Sequence, residues 1–470
     1  MNRPATHSPY TSDVPRTLLV DAVGSCIAID VGALGEADEA AVRAAWADAT
    51  TDAATEPVAT VTPHPAERVH MLSSLSQQVT LAAIEAARGR AWMLHAAGIA
   101  TPDGRVVVLV GPSGRGKTTA SRALGAVYGY VSDETVAIDE DGRVWPYRKP
   151  LSVIEDSAAP KTQLAPSALG LRPLPDTELR VAAVVLLDRD EQHPAVPAVE
   201  VTDVGVALSE LVAQTSFLHD QAAALRFIAA LATATGGIRT VKYREAASLP
   251  AVIPELVQRP AGPIELPATP VHAPPPAHPT STGPRFSRVS VADEVGLDDP
   301  DRIAILTVSE SREGHVSVLG GIAPAVWRAA DGATLPQFVD AAITAYDEPE
   351  DFDAGAAVLV AVGHLLDAGL LTSDEPALTR RDDVAWVDSG DRIVALPLSP
   401  DSDLQLAHPA ALTGSAALIW EWLEEPVTRT QLTARATEAA GVAHAADVVA
   451  QVETFLAQLS ESRLVAEAGR

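Results

Sequence analysis

Residues 111–119, GPSGRGKTT, combine glycines, a lysine and a threonine at the spacing of a phosphate-binding loop. The glycines of such a loop let consecutive backbone N–H groups turn toward a phosphate, and the helix that follows adds the positive end of its dipole. We expect the lysine to reach the β- and γ-phosphates of ATP and the threonine hydroxyl to bind Mg²⁺. The predicted nucleotide-binding residues are Gly111, Ser113, Gly114, Arg115, Gly116, Lys117, Thr118 and Thr119.

The scarcity of lysine gives this motif weight. The 470-residue chain has four lysines, Lys117, Lys149, Lys161 and Lys242, so a chance match is expected roughly a few times in a thousand. The apolar run RVVVLV before the loop predicts a buried strand, and TTASRALGAV after it predicts a helix. The alternative is a glycine turn that binds no nucleotide.

A phosphate-binding loop needs an acidic partner for its metal ion, and the sequence has two candidates. Asp133 and Glu134, in YVSDETVAI, follow the next predicted strand, and Asp188 ends the apolar run RVAAVVLLD, as a Walker B carboxylate does. The alternative for each candidate is a solvated carboxylate at a strand end.

Charge and composition exclude several functions. The net charge of −28 disfavours nucleic acid and anionic membranes as partners, because both attract basic surfaces. The one cysteine, Cys26, excludes an internal disulfide. Residues 1–16 are polar and predicted to be disordered, and no apolar stretch of about 18 residues occurs. We therefore expect a cytoplasmic protein.

Around these residues, predicted strands alternate with predicted helices over residues 17–258. This alternation indicates an α/β domain. One helical pattern runs from about Ser74 to Arg88. Residues 259–284 are rich in proline, which predicts an extended linker.

Beyond the linker the chain repeats itself. DRIAILTVSE at residues 301–310 matches DRIVALPLSP at residues 391–400, and Trp327 and Trp420 occupy the same place in the two copies. This period of about 90 residues predicts two small α+β domains, residues 285–374 and 383–468. Coincidental Ala/Leu-rich helices are the alternative.

The block LHAAGIATPDGRVVVLVGPSGRGKTTASRALGAVYGYVSDETVAIDEDGRVWPYRKPLSV resembles the HPr serine kinase/phosphorylase superfamily, particularly its shorter members in peptide-modification gene clusters. Such members have a histidine at the strand before the loop, here His95, and an S-D-[DE] motif about fifteen residues after it, here residues 132–134. The resemblance covers roughly residues 17–255. A convincing match to the Gly- and Arg-bearing loop of true HPr kinases is missing, since LGLRPLP at 169–175 is only superficially similar, so HPr is not the expected substrate.

The resemblance implies roles for individual residues. Asp133 would be the general base on an acceptor hydroxyl or a neighbour of Mg²⁺, and His95 would lie close to the γ-phosphate. Arg148 and Lys149 would face the site. The expected catalytic residues are thus Asp133, His95 and Lys117, and the expected metal ligands are Thr118, Asp133 and Glu134.

Each C-terminal repeat resembles the PqqD-like fold, a winged-helix element that recognises ribosomally made, post-translationally modified peptides. The matching text is VSVLGGIAPAVWRAADGATLPQFV with HLLDAGLL in the first copy, and LQLAHPAALTGSAALIWEWLEEPVTRTQL with FLAQLSESRLV in the second. The resemblance implies that a leader peptide adds to a sheet edge as an extra strand. A dimerisation or packing module is the alternative.

Two functions follow from these motifs. In the first, the protein is an ATP-dependent kinase that phosphorylates a Ser- or Thr-type hydroxyl of a precursor peptide bound by the PqqD-like domains. In the second, it is a recognition protein that presents the precursor to other modifying enzymes, and the nucleotide is structural or acts as a switch.

Overall fold

A computed structural model describes residues 16–52, 55–64, 66–112, 116–153, 161–259, 261–278, 282–297, 300–348, 353–398, 409–441 and 445–468. The predicted disorder of residues 1–16 lies outside these residues except for Arg16. The chain folds into two compact units, each with most of its contacts within itself. The first comprises Met1–Ala268, Ala292–Val295 and Ala304–Ser317, and the second comprises Thr269–Val291, Gly296–Ile303 and Val318–Arg470. The domain limits drawn from the sequence stay predictions.

The first unit begins with a small sheet covered by a long helix. Its elements are β1 (Thr17–Ala22), β2 (Ser25–Asp30), α1 (Glu36–Ala45), β3 (Ala59–Val61) and α2 (Arg68–Ala87). The strands β1 and β2 pair antiparallel across a two-residue turn in which Val23 and Gly24 both have positive φ, and β3 runs parallel to β2. α2 buries Leu75, Val79 and Ala83, spaced by four residues, so one stripe of the helix packs into the core of this sheet.

A six-stranded mixed sheet forms the centre of the first unit. The elements after α2 are β4 (Trp92–Leu94), β5 (Ala96–Ala100), β6 (Arg105–Val110), α3 (Lys117–Gly125), β7 (Gly129–Ser132), β8 (Val136–Ile138), β9 (Val144–Trp145), β10 (Leu151–Val153), β11 (Thr162–Leu164), β12 (Arg180–Arg189), β13 (Ala198–Thr202), α4 (Val204–Ala213), β14 (Thr215–Ser216), α5 (Ala224–Ala234), β15 (Ile238–Tyr243) and α6 (Ile253–Leu256). The strand order is β13-β15-β12-β6-β5-β7, with β6 parallel to β12 and antiparallel to β5. All residues of β6 after Arg105 are buried, as in a strand covered on both faces, and the loop to α3 leaves its carboxyl end.

Two smaller sheets complete the frame of the first unit. The order β14-β4-β8-β9 gives a four-stranded sheet, and β10 and β11 pair as an antiparallel ribbon. The chain between β7 and β8, residues 133–135, therefore passes from the six-stranded sheet to the four-stranded one.

The described residues of the proline-rich segment, 261–278, form neither helix nor strand. The elements after it are β16 (Phe286–Arg288), β17 (Asp293–Leu297), β18 (Arg302–Val308), β19 (Gly314–Leu319), α7 (Ala323–Ala329), β20 (Asp331–Ala333), α8 (Leu335–Tyr346), α9 (Ala354–Asp367), β21 (Leu371–Ser373), β22 (Leu378–Arg380), β23 (Val384–Asp388), β24 (Ile393–Pro397), β25 (Ala410–Leu412), α10 (Ser415–Trp422), α11 (Arg429–Ala440), α12 (Ala445–Glu461) and β26 (Val465–Glu467). Within the described part of the chain, no helix is both long and apolar enough to cross a membrane.

The two C-terminal repeats have the same order of elements. In the first, β16 pairs with β20 and β21; in the second, β22 pairs with β26 and forms a bridge from Leu378 to Val427. Each repeat starts its second helix with a capping box, from Thr334 to Gln337 and from Thr428 to Gln431. The repeats thus share a topology as well as a sequence pattern.

An arginine and a tryptophan occupy matching positions in both repeats. The Arg288 guanidinium lies 5.9 Å from the Trp327 ring centroid and donates to the Trp327 carbonyl oxygen at 2.9 Å. The Arg380 guanidinium lies 5.0 Å from the Trp420 ring centroid and donates to the Trp420 carbonyl oxygen at 2.9 Å and 2.7 Å. Each arginine therefore binds the first strand of its repeat to the C-terminal end of a helix whose tryptophan is buried.

Candidate functional site: a polar cavity beside the glycine-rich loop

A cavity of about 430 Å³ in the first unit brings most of the predicted site residues together. Those that line it are His95, Gly116, Lys117, Thr118, Thr119, Asp133 and Glu134. Lys149, which the resemblance placed facing the site, lines it too. Six residues that the sequence reasoning did not place in the site complete the lining: Ser73, Ser76, Gln77, Ser152, Lys161 and Gln163. Ser113, Gly114 and Arg115 lie outside the described residues.

The loop between β6 and α3 supplies the start of a helix to the cavity. Gly116 has φ +90°, a conformation that side-chain-bearing residues rarely adopt, and it is the residue from which α3 begins. The first turn of α3 directs its free backbone N–H groups toward this end of the helix, where negative charge is stabilised. Lys117 is buried, its Nζ donates to the Gly111 carbonyl oxygen at 2.6 Å, and burial lowers the pKa of its ammonium group.

Asp133 and Glu134 enter the cavity from the turn between β7 and β8. The Ser132 hydroxyl accepts hydrogen bonds from the backbone N–H groups of Glu134 and Thr135, which fixes this turn. The Tyr130 hydroxyl donates to Asp133 Oδ1 at 2.8 Å. Burial raises the pKa of Asp133 and outweighs the opposite effects of the Lys149 charge and the Tyr130 hydrogen bond.

His95 lies in the single-residue connection between β4 and β5. Its backbone N–H donates to the Gln214 carbonyl oxygen at 2.7 Å, which fixes its main chain. Burial, and then the charge of Lys117, lower the pKa of its imidazole. A lowered pKa favours the neutral imidazole, which can accept a hydrogen bond or a proton.

Three of the four lysines of the chain line this one cavity: Lys117, Lys149 and Lys161. Lys149 is buried, pairs with the Glu134 carboxylate and donates to Ser76 Oγ at 3.4 Å. Lys161 is exposed and has no ion-pair partner among the described residues. A protein with a net charge of −28 therefore concentrates its ammonium groups at one place, as an anion-binding site requires.

Arg148 does not share the orientation of its neighbour Lys149. Its guanidinium donates to the carbonyl oxygens of Tyr130 at 2.6 Å and Arg172 at 3.1 Å and lies 3.7 Å from an Asp48 carboxylate oxygen. Arg148 is not among the residues that line the cavity, whereas Lys149 is. The expectation that Arg148 faces the site is wrong, and its role here is structural.

Asp188, the alternative acidic partner, is not part of the cavity lining. It lies near the carboxyl end of β12, in register with Lys242 of β15. The pKa of Lys242 is raised mainly by Glu200 and to a smaller extent by Asp188. Of the two candidates, the carboxylates that line this cavity are those of Asp133 and Glu134.

The residues of the cavity fit the phosphates of a nucleotide and a magnesium ion. The helix start and Lys117 are donors for phosphate oxygens, and the Thr118 hydroxyl with the Asp133 and Glu134 carboxylates are the oxygen ligands that Mg²⁺ prefers. The described residues contain no group of three or more His, Cys, Asp or Glu side chains arranged to hold a metal. Mg²⁺ at a phosphate site needs only one or two protein ligands, so this finding is compatible with it.

The second repeat has two surfaces suited to a peptide. In the order β23-β24-β25, β23 is an edge strand, and its Trp386 and Val387 are 49% and 57% exposed. An apolar cavity of about 530 Å³ lies among α10, α11 and α12 and is lined by residues that include Leu418, Trp422 and Phe455. An edge strand offers unpaired backbone groups, and apolar pockets accept side chains.

Comparison with known proteins identifies part of this second repeat. Residues 407–465 match the family model described as coenzyme PQQ synthesis protein D (PqqD). The match covers one repeat, so the assignment of the first repeat to the same family stays a prediction. Among solved structures, the HPr(Ser) kinase/phosphatase from Coxiella burnetii matches at 14% identity over 35% of this chain and 93% of that chain. The TM-score of 0.20 is too low to assign a fold from this match. No curated protein matches the chain.

Proposed function

We propose that this protein uses ATP to phosphorylate a Ser- or Thr-type hydroxyl of a ribosomally made precursor peptide. The observation that supports the proposal is the meeting of Lys117 and Thr118 with His95, Asp133 and Glu134 around one polar cavity. Phosphoryl transfer needs donors for the phosphates, oxygen ligands for a metal and a group that takes a proton from the acceptor, and these residues supply all three.

ATP would supply the phosphoryl group, and Mg²⁺ would offset the negative charge of its phosphates. Lys117 and the N–H groups at the start of α3 would bind the phosphates, and Thr118 with one carboxylate of the 133–134 pair would hold the metal. The acceptor hydroxyl would bond to the γ-phosphorus as the bond to the leaving ADP oxygen breaks. Asp133, whose pKa is raised by burial, would accept the hydroxyl proton.

The PqqD-like segment would bind the leader part of the peptide. The exposed edge of β23 can add an extended peptide as a further strand, with the apolar side chains near it giving sequence preference. Binding of the leader on the same chain would raise the concentration of the core peptide at the cavity.

The test is the mass of a precursor peptide encoded beside the gene after incubation with the protein and Mg-ATP. We expect a product heavier by one phosphate, and we expect Lys117→Ala to abolish it. Lys242→Ala is the matched control, because Lys242 is the one lysine outside the cavity. An unchanged peptide mass under conditions where ATP binds would rule out the kinase.

A second function is favoured because the carboxylates of Asp133 and Glu134 both have protein partners. Glu134 pairs with Lys149, and Asp133 accepts a hydrogen bond from Tyr130. In this alternative the protein is a recognition subunit that presents the precursor to other modifying enzymes, and nucleotide is a structural ligand or a switch. It predicts that Lys117→Ala removes nucleotide binding but leaves leader binding and, for a structural nucleotide, peptide maturation intact.

A further inference from the structure

One wall of the cavity is built from elements other than the glycine-rich loop. α2 contributes Ser76, β10 contributes Ser152, and β11 with the residue before it contributes Gln163 and Lys161. Lys149, just before β10, joins this wall and donates to Ser76 Oγ. The nucleotide-binding role assigned to the loop does not account for these polar groups.

The Gln163 side chain contributes a hydrogen-bond acceptor to this wall that has no donor among the described residues. Its side chain lines the cavity although the residue is only 4% exposed, and Nε2 donates to Ser152 Oγ at 2.7 Å. Its Oε1 is buried, and no described group donates to it. A buried acceptor without a donor is unfavourable, so a shift of this side chain that brings Oε1 to an N–H or O–H of a ligand in the cavity would gain binding energy.

The charges of the wall specify a second feature of the ligand. The charge of Lys149 is compensated by Glu134, whereas Lys161 has no anionic partner among the described residues. Lys117 belongs to the loop that would hold the phosphates. Lys161 therefore adds a positive charge that is not paired with any described carboxylate and does not belong to the phosphate-binding loop. Because the common anion of a peptide is a carboxylate, a peptide carboxylate is the group expected to pair with Lys161.

We propose that this wall is the acceptor subsite and that it selects a hydroxyl residue accompanied by a carboxylate. The carboxylate pairs with Lys161, and an N–H or O–H of the same segment donates to Gln163 Oε1. The carboxylate comes either from an Asp or Glu next to the acceptor or from a peptide C-terminus. This inference rests on the proposed function for the identity of the ligand, but binding tests it without phosphoryl transfer.

The experiment measures binding of short peptides to the full-length protein by calorimetry in the presence of Mg²⁺ and a non-hydrolysable ATP analogue. Two pairs of probes separate the sources of the carboxylate. Acetyl-Ala-Ser-Glu-Ala-amide is compared with its Gln counterpart, and acetyl-Ala-Ala-Ser with a free carboxylate is compared with its amide. We expect the carboxylate form of at least one pair to bind about five- to tenfold more tightly than its neutral partner.

Variants assign the preference to this wall. Lys161→Gln should abolish the difference between the paired peptides, and Lys242→Gln should preserve it. Gln163→Met, which keeps the volume and removes the acceptor, should weaken both members of a pair about equally. Affinity for the ATP analogue should stay unchanged in all three.

Two results would overturn the proposal: equal affinity within both pairs, or a Lys161→Gln variant that loses affinity for the ATP analogue instead of for the carboxylate. The second would assign Lys161 to the nucleotide. Failure of the proposed kinase has a different signature, because carboxylate-selective binding would persist while no peptide gained a phosphate.

Discussion

The Lys149 ammonium group pairs with the Glu134 carboxylate, and both side chains line the cavity. The pair is asymmetric: the Lys149 side chain is 8% exposed and that of Glu134 is 38% exposed. Lys149 therefore depends on Glu134 for compensation of a buried charge more than Glu134 depends on Lys149.

Glu134→Gln should lower the stability of the first unit. It leaves the buried Lys149 charge without its partner, and we expect a loss of about 1–3 kcal/mol, reduced from the value for a fully buried pair because Glu134 is partly hydrated. Thermal unfolding followed by calorimetry measures the change. Adding Lys149→Met should recover part of it, and a Glu134→Gln variant as stable as the unsubstituted protein would contradict this account.

Asp133 should give the protein a specific pH dependence. Because burial raises its pKa, the folded protein keeps the carboxyl proton to a higher pH than the unfolded chain does. The free energy of unfolding should therefore fall as pH rises from the usual carboxyl range, near about 3.9, to the raised pKa, and level off above it.

Activity should follow the same group in the opposite direction. If Asp133 is the general base, kcat/KM should rise with pH through the raised pKa, and Asp133→Asn should reduce kcat by about 10²–10⁴-fold. Both pH profiles, of unfolding and of peptide phosphorylation, should lose this feature in Asp133→Asn. An unshifted profile in that variant would show that another group titrates.

His95 should be neutral at pH 7. In the unfolded chain the His95 imidazole takes up a proton near the usual histidine pKa of about 6.5. In the folded protein, burial and the charge of Lys117 lower this pKa, so the ring is protonated only at lower pH. The free energy of unfolding should thus decrease as pH falls from that value through the folded pKa. An NMR titration of the His95 ring signals, assigned with His95→Gln, checks the direction; a pKa above the usual value would contradict it.

Gly363 should be needed for the packing of α9 on α11. A Cβ at this position would clash with Ala434 Cβ, and neither Cβ can move without its helix backbone, because each is bonded directly to a Cα. We expect Gly363→Ala to destabilise the second unit by about 1–3 kcal/mol. The double variant with Ala434→Gly should regain stability, and Gly296→Ala, where a Cβ meets no atom within 4 Å, is the control in calorimetric unfolding.

The arginines over the two tryptophans should resist replacement by lysine. The Arg380 guanidinium donates to the carbonyl oxygens of Trp420 and Glu421 while it lies over the Trp420 ring, and an ammonium group cannot make both contacts in one plane. Arg380→Lys should destabilise the second unit by about 1–2 kcal/mol. Arg288→Lys should act similarly in the first repeat, and equal unfolding midpoints for Arg380→Lys and the unsubstituted protein would refute the role.

The sequence was sufficient for the part of the site that is local along the chain. The loop, the strand before it and the helix after it follow from periodicity and spacing, and the 133–134 pair enters the cavity because it follows the next strand. His95, which the resemblance singled out, lines the same cavity, and its proximity to a γ-phosphate stays a prediction. Two short elements separate each of them from the loop, β5 and β6 for His95 and α3 and β7 for the 133–134 pair, so chain connectivity constrains their positions.

The other wall could not be derived in this way. Ser76 lies on α2, which begins at Arg68 rather than near Ser74. The apolar stripe of this helix predicts a buried face but does not indicate that Ser76 faces a cavity. Lys161 and Gln163 reach the site because β11 pairs with β10, a register that sequence pattern alone does not specify. The one signal available was the scarcity of lysine, since three of the four meet here.

That distribution has a chemical consequence for anyone who handles the protein. Primary amines are the target of acylating and reductive-alkylating reagents, and outside the chain terminus this protein offers four of them. Lys161, at the cavity, is exposed and Lys242, on β15, is partly exposed, whereas Lys117 and Lys149 are buried. An amine-directed fluorophore or crosslinker would therefore report on the cavity through a single side chain, with Lys242 as its internal reference.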